Sequence, residues 1–335
     1  MMRGLLVLLM TWVLPGVLFA EVCTTQSQMT AAQRSDLAGA AAQFAGMVQR
    51  DDVPALQSAA IPELTQSFAA VQTLVGETAA KLSGASLTVD EVFLLDGTSL
   101  KRAADGSAPD AQFFCTLNQT AAETDFLIPS LPPGTYSFAL VTSSGHSPLR
   151  LALLLRQEQG RWLLAGLYPR PLLAAGHDGL WYWTTARTFA GQKQPWNAWL
   201  YYVQAEQLLR PANFVQSTHY DKLQAEQVAV APPAITDGVT PETPLVVKAA
   251  DGSEFHFTSL AVDDSLGKEK IDVLVHLKTD SVADRAAAQK RNVAAIRALV
   301  AAYPELKQAF HGVWVFADAA GQSPYPTELA MTDLP

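Results

Sequence analysis

The chain has 335 residues, and its 23 Lys and Arg against 32 Asp and Glu give a formal net charge of -9. This acidic balance, with no basic patch interleaved with aromatic side chains, argues against nucleic acid or an anionic lipid surface as a partner. A chain of this length exceeds what one hydrophobic core usually organises, so two or three domains are expected.

The first 20 residues have the features of a secretory signal peptide. Arg3 supplies the positive charge, an apolar run covers 5–14, and a Pro15-Gly16 pair precedes the small residue Ala20. A membrane span needs about 20 apolar residues, and the Pro15-Gly16 pair interrupts this run too early. An uncleaved anchor is the alternative, because Leu18 is bulky for a position near the cleavage site; it would then be the only membrane contact. We therefore expect a periplasmic or secreted protein.

The chain contains two cysteines, Cys23 and Cys115. In an oxidising compartment an even pair is expected to form a disulfide, which would close a loop worth about 4 to 5 kcal/mol of chain entropy. Two unpaired thiols are the alternative. Neither cysteine has the CxxC spacing or the neighbouring His of a redox or zinc site.

Hydrophobic periodicity predicts helices first and strands afterwards. Apolar residues spaced by three and four indicate helices over 29–50 and 61–82, with Pro54 restarting the chain between them. After Gly84 short β-rich segments alternate with turn residues, which predicts strands at 86–95, 111–117, 135–142, 149–157 and 161–168. The fold class is therefore α+β: helices followed by a curved antiparallel sheet, then a central helical hairpin and a small C-terminal α+β module.

The sequence AAAQFAGMVQRDDVPALQSAAIPEL at 40–64 and the strand sequence GRWLLAGLY at 160–168 resemble the opening and the final hairpin of the NTF2-like superfamily, over 29–170. The resemblance implies a curved sheet around a cone-shaped pocket, in a superfamily of small-molecule enzymes and non-catalytic binding modules. Its enzymes carry a polar dyad in the cone. Here His146 falls in a turn, and alternation allows only one of Asp90 and Glu91 to enter a cone, so no catalytic residue is assigned.

Residues 175–212 predict two helices, at 180–190 and 196–210, separated by Gly191 and Pro195. Over 178–211 they resemble a single tetratricopeptide repeat, on the spacing of Tyr182, Ala186, Phe189, Ala198, Tyr202 and Ala205. A solenoid needs about three such units, so we expect an isolated helical hairpin.

This hairpin is rich in aromatic residues, which are frequent at binding hot spots. The candidate binding residues are Trp181, Trp183, Trp196, Trp199 and Tyr201. Neighbours in the sequence cannot share one helix face, so some of these rings are expected to be core. Packing between the hairpin and its flanking domains is the favoured interpretation for the rings, and an exposed recognition surface is the alternative.

The C-terminal part predicts strands at 245–248, 254–257, 271–277 and 313–317 around a helix at 281–302. His256 and His276 fall on neighbouring strands, but metal sites generally need further ligands, and we expect surface histidines and no metal. His311 is interpreted as ending the preceding helix. His219 and Asp221 fall in a predicted loop, where local hydrogen bonding explains them.

These elements predict a signal peptide, an NTF2-like domain, a helical hairpin with its extension, a Pro-rich linker and a C-terminal ββαβ-type module, at 1–20, 21–172, 173–230, 231–244 and 245–335. No phosphate-binding loop, zinc-protease motif or nucleophile elbow is present. We expect a non-catalytic envelope protein without a cofactor that binds a protein, peptide or glycan. The alternative is an NTF2-like hydrolase or isomerase with a polar pocket in the first domain.

Overall fold

The computed structural model describes residues 21–116, 123–267 and 269–334. The predicted signal peptide lies outside these residues. The protein has the predicted α+β fold class, with a curled eight-stranded sheet, a five-stranded sheet and a helical hairpin that packs on the five-stranded sheet. Within the described ranges, no helix is both long and apolar enough to cross a membrane.

Several of the helices begin at a polar side chain that caps them. Thr30 and Gln33 form a reciprocal capping box at α1, and Asp52, Asp178 and Ser217 cap α2, α5 and α7. The helices are α1 Ala31–Gln49, α2 Val53–Ser58, α3 Pro62–Thr65, α4 Phe68–Leu82, α5 Gly179–Gly191, α6 Pro195–Leu209, α7 Thr218–Val230 and α8 Arg285–Ala302.

Two of the predicted elements are wrong. The single helix predicted over 61–82 is broken between α3 and α4, because Gln66 and Ser67 form a turn there. The loop predicted at 217–221 is the first turn of α7, since the Ser217 hydroxyl accepts a hydrogen bond from the Tyr220 amide at 3.2 Å.

The strands of the first sheet are β1 Glu21–Thr25, β2 Leu87–Gly97, β3 Ala111–Thr116, β4 Glu123–Ile128, β5 Gly134–Ser143, β6 Leu149–Glu158, β7 Arg161–Pro171 and β10 Val215–Ser217, in the order β10-β4-β3-β1-β2-β5-β6-β7. All neighbours are antiparallel except β1 and β3. Two short strands, β8 Leu173–Ala174 and β9 His177–Asp178, pair before α5.

The two faces of this sheet bury different cores. Helices α1, α2 and α4 cover one face, where Leu37, Phe44 and Val75 pack on strand residues. The opposite side, here called the phenylalanine face, is filled by Phe93, Phe113, Phe126 and Phe138. This is the sheet-and-helix packing expected of an α+β fold.

The predicted disulfide is confirmed. Cys23 on β1 and the fully buried Cys115 on β3 are bonded, with 5.3 Å between their Cα atoms and 92 positions between them in the sequence. The bond ties together strands that are neighbours in the sheet and far apart in the chain. It is compatible with an extracellular protein.

The second sheet has the order β11-β12-β13-β14-β15, with β13 and β14 parallel. Its strands are β11 Leu245–Lys248, β12 Glu254–Asp263, β13 Asp272–Lys278, β14 Gly312–Asp318 and β15 Tyr325–Ala330. Helix α8 and the α5–α6 hairpin share one hydrophobic core with the inner face of this sheet. Ile235, within the predicted linker, is buried in the same core.

Candidate functional site

The structure does not bring the predicted aromatic binding residues into one exposed patch. Trp183, Trp196 and Tyr201 are buried, Trp199 is half-buried, and Trp181 is the most exposed of the five, at 38%. Trp181 stacks on His177 with 3.7 Å between ring centroids. The hairpin rings therefore serve mainly as core, which is the interpretation that the sequence favours.

The polar atoms of the buried hairpin rings are matched to fixed partners. The Trp183 indole N–H donates to Glu226 Oε2 at 2.8 Å, and the Tyr201 hydroxyl donates to the Ala309 carbonyl at 3.1 Å. Buried tryptophan and tyrosine generally need such partners. These bonds join α5 to α7, and α6 to the segment that follows α8. They stabilise the packing of these elements.

Glu226 is the centre of this arrangement. Its carboxylate accepts two hydrogen bonds from Arg187, at 2.7 and 2.8 Å, and one from the Tyr202 hydroxyl at 3.2 Å. The Arg187 guanidinium also lies over the Trp183 ring, 4.7 Å from its centroid. The hydrogen bonds from Arg187, against the opposing effect of burial, lower the pKa of Glu226 to about 2.

A small cavity of about 110 Å³ lies on the phenylalanine face, lined in part by Glu91, Phe93 and Tyr220. Burial, and then the neighbouring Asp90, raises the pKa of Glu91. Asp90 is exposed at an irregularity in β2, and Glu91 is the residue of this pair that lines the cavity. The cavity is well below the ~300 Å³ at which small-molecule sites begin. His146 is exposed in its turn.

A larger groove of about 610 Å³ lies between α1, the end of α2 and the β6–β7 turn. The small residues Gly39 and Ala40 of α1 also line it. Its polar and aromatic lining residues are Ser35, Asp36, Gln43, Ser58, Arg161 and Trp162. The volume falls in the range of ligand sites in proteins. Of the two cavities, this groove has room for a ligand.

Local structure fixes the walls of the groove. Gln159 and Gly160 both have positive φ, 50° and 76°, which suits a two-residue hairpin turn between β6 and β7. The turn fixes the register of the two strands, and Trp162 is the second residue of β7. The indole N–H of Trp162 donates to Asp36 Oδ2 at 2.9 Å. Residues 59–61 pair with Leu164, through its amide and carbonyl at 2.8 and 3.0 Å, and hold α2 beside the strand.

The sequence did not indicate this groove. Trp162 belongs to the GRWLLAGLY strand, whose pattern predicts the hairpin, while Asp36 is one polar residue on an amphipathic helix. They are 126 positions apart, and their contact depends on the packing of α1 against the sheet. The available signal was a tryptophan directly after a tight Gln-Gly turn.

The histidines of the C-terminal unit have separate partners. His276 Nδ1 lies 2.7 Å from Asp318 Oδ2, and His256 lies 3.8 Å from Glu254. His276 is opposite Ser259 in the sheet, so the two histidines do not face each other directly. His219 and Asp221 are exposed on the first turn of α7.

His311 differs from its predicted role as a helix-ending residue. It directly precedes β14, and its Nδ1 lies 3.2 Å from Oδ1 of the buried Asp272. The ring therefore contacts the sheet.

No protein-family model matches the chain, and comparison with curated proteins and with solved structures finds no significant match. A functional conclusion therefore has to come from the geometry of the groove and the chemistry of its side chains.

Proposed function

We propose that this chain is an exported, non-catalytic protein of the cell envelope that binds an uncharged glycan in the groove between α1 and the β6–β7 turn. The observation that carries the proposal is a groove of ligand size beside Trp162, whose indole is held by Asp36. A ring fixed before binding loses little conformational freedom when a ligand packs on it.

The groove lining suits a sugar. A pyranose ring has an apolar C–H face, which packs on an aromatic ring, and a rim of hydroxyls that donate and accept hydrogen bonds. Half-buried Trp162 supplies the ring, and Gln43, Ser35 and Arg161 supply donors and acceptors at the rim. The lining contains one acidic and one basic residue, Asp36 and Arg161, so the site favours an uncharged ligand.

The cellular setting supports the same proposal. The disulfide is compatible with an extracellular protein, and the predicted signal peptide directs the chain to the periplasm or outside. The resemblance to the NTF2-like superfamily adds a precedent for a non-catalytic binding module. The alternative activity, an NTF2-like hydrolase or isomerase, would have to use Glu91 in the 110 Å³ cavity, which has too little room for most substrates.

The test is calorimetric titration with neutral hexasaccharides of glucose and of N-acetylglucosamine. We expect binding of at least one, and a dissociation constant raised at least tenfold, ~1.4 kcal/mol, by Trp162→Ala. Trp314→Ala is the matched control, because Trp314 is also half-buried but lies on β14, outside the groove.

A second pair of variants tests the location. A Cβ built on Gly39 meets no atom within 4 Å, and Gly39 lines the groove, so the ring of Gly39→Phe is expected to fill the groove and block binding. Gly76→Phe is its control, since Gly76 is equally open and exposed but lies on α4. Binding unchanged in both Trp162→Ala and Gly39→Phe would place the ligand elsewhere. Binding of peptides from a panel, without binding of any oligosaccharide, would contradict the proposal that the ligand is a glycan.

A further inference from the structure

Three ionisable side chains meet at one end of the second sheet. Asp272 begins β13, His311 directly precedes β14, and Glu328 lies on β15. The parallel pairing of Asp272 with Gly312 and the antiparallel pairing of Trp314 with Glu328 place them side by side. One nitrogen or oxygen atom from each side chain lies within 4.8 Å of the other two.

Asp272 is buried with half of its carboxylate unsatisfied. The residue is 1% exposed, its Oδ1 contacts His311 Nδ1 at 3.2 Å, and its Oδ2 has no hydrogen-bond partner among the described residues. A buried carboxylate oxygen without a partner is costly, and such groups are generally paired or bound to a metal. The oxygen without a partner belongs to one of the three residues of the cluster.

The charges around the site are mainly negative. Burial raises the pKa of Asp272 and Asp263 adds to the rise, while His311 and a hydrogen bond from the Gly312 backbone oppose it. Burial also raises the pKa of Glu328, with Asp272 and Asp333 adding to it and with His311 and Lys270 opposing it. Within the cluster itself, the two carboxylates of Asp272 and Glu328 and the imidazole of His311 form a mixed oxygen and nitrogen donor set.

The space between the two ligand carboxylates is kept open by a glycine. A Cβ at Gly312 would lie 2.9 Å from Glu328 Oε1 and 3.2 Å from Asp272 Oδ1, and also 2.7 Å from the Leu329 carbonyl. Gly312 is not among the glycines with positive φ. Space, and not backbone conformation, therefore requires glycine at this position.

We propose that Asp272, His311 and Glu328 bind a divalent transition-metal cation of the Zn²⁺ class, which pins the starts of β13 and β14 to β15. One imidazole and two carboxylates match the mixed nitrogen and oxygen donors that Zn²⁺ accepts, whereas Ca²⁺ takes six to eight oxygens. Zn²⁺ bonds of about 2.1 Å at tetrahedral angles put adjacent ligand atoms about 3.4 Å apart. The 3.2 Å contact between His311 and Asp272 is close to that spacing, and a water would complete four-coordination.

The test is titration of untagged, chelator-treated protein with Zn²⁺, followed by calorimetry and by the melting temperature. We expect one ion per chain, a raised melting temperature, and a dissociation constant raised at least tenfold in Glu328→Gln. Glu328 is half-buried, so this variant is expected to fold even where Asp272→Asn does not. Co²⁺ in place of Zn²⁺ should give visible absorption bands that Glu328→Gln loses.

The control is His276→Gln, which breaks the other His–Asp pair of the same sheet, at 2.7 Å from Asp318. It should leave Zn²⁺ binding unchanged. Loss of binding in His276→Gln with retention in Glu328→Gln would overturn the site, as would the absence of any Zn²⁺ binding to the wild type. Binding of Ca²⁺ with the same affinity as Zn²⁺ would overturn the assignment to a transition-metal cation.

Discussion

The aromatic hairpin and the groove beside β7 use aromatic residues in opposite ways. In the hairpin the rings are numerous and mostly buried, and their polar atoms bond to internal partners such as Glu226 and the Ala309 carbonyl. In the groove a single tryptophan, Trp162, is half-buried, and its indole bonds to Asp36 beside an open volume. In this chain the segment richest in aromatic residues therefore builds core, and the proposed recognition surface lies at the single ring that has open volume beside it.

The largest expected effect comes from a buried hairpin ring. Trp183→Ala removes a side chain that is 7% exposed and its hydrogen bond to Glu226, so we expect the free energy of unfolding to fall by about 3 to 5 kcal/mol. Urea denaturation at neutral pH measures this loss. Trp181→Ala, on the same helix but largely exposed, should cost about 1 kcal/mol through its stacking on His177.

Equal losses for the two tryptophans would break the comparison, because they would show that burial does not separate the rings of the hairpin. A drop in glycan affinity confined to Trp181→Ala would move the recognition surface from the groove to the exposed end of α5.

A smaller effect is expected from Glu226, which satisfies the buried rings. Glu226→Gln keeps the shape but weakens the hydrogen bonds from Arg187 and Trp183, so the free energy of unfolding should fall by about 1 to 3 kcal/mol at pH 7. The matched control is Glu77→Gln, at an exposed position of α4. It should change stability by less than about 0.5 kcal/mol.

The same carboxylate predicts a pH dependence. The pKa of Glu226 in the folded protein is about 2, below its ordinary value of 4.5 in the unfolded chain. Its contribution is therefore fully present above about pH 4.5 and is lost as the pH falls towards 2. The stability difference between wild type and Glu226→Gln should shrink over that window, measured by urea denaturation at several pH values. A difference that stayed constant down to pH 2.5 would contradict the depressed pKa.

Local patterns predicted much of the fold. The helix predicted at 29–50 is α1, and the strands predicted at 86–95 and 149–157 are β2 and β6, because alternation and helical spacing are local properties. The short strands β1 and β10 were missed, since five or three residues carry no period and their pairing depends on distant partners. Strands β4 and β15 were missed as well. Helix α7 was mistaken for a loop at its start, because it buries few apolar residues and Glu226 holds it through polar bonds.

The two candidate sites could not be predicted from the sequence for a related reason. Asp36 and Trp162 meet across 126 positions, and Asp272, His311 and Glu328 come from three separate elements. Each residue alone has an ordinary local explanation. Only the pairing of strands and the packing of α1 bring them together, and neither is encoded in a short spacing.

The smallest expected effect concerns the groove itself. Gly39 is exposed in the middle of α1, where glycine destabilises a helix by about 0.5 to 1 kcal/mol relative to alanine. A Cβ there meets no atom within 4 Å, so Gly39→Ala should raise the free energy of unfolding by that amount. Because a methyl group takes little of the 610 Å³, glycan affinity should stay within about twofold of wild type, a difference of ~0.4 kcal/mol.

The equivalent change on α4, Gly76→Ala, separates the effect of Gly39 on helix stability from its effect on glycan binding. Both glycines are exposed and open, so both substitutions should stabilise their helices by similar amounts. If Gly39→Ala stabilised the fold and also weakened glycan binding severalfold while Gly76→Ala did not, the sugar would have to pack directly on the α1 backbone at Gly39. The bound sugar would then occupy the part of the groove next to α1. The helix would keep glycine at position 39, at the expense of stability, because the ligand needs this contact.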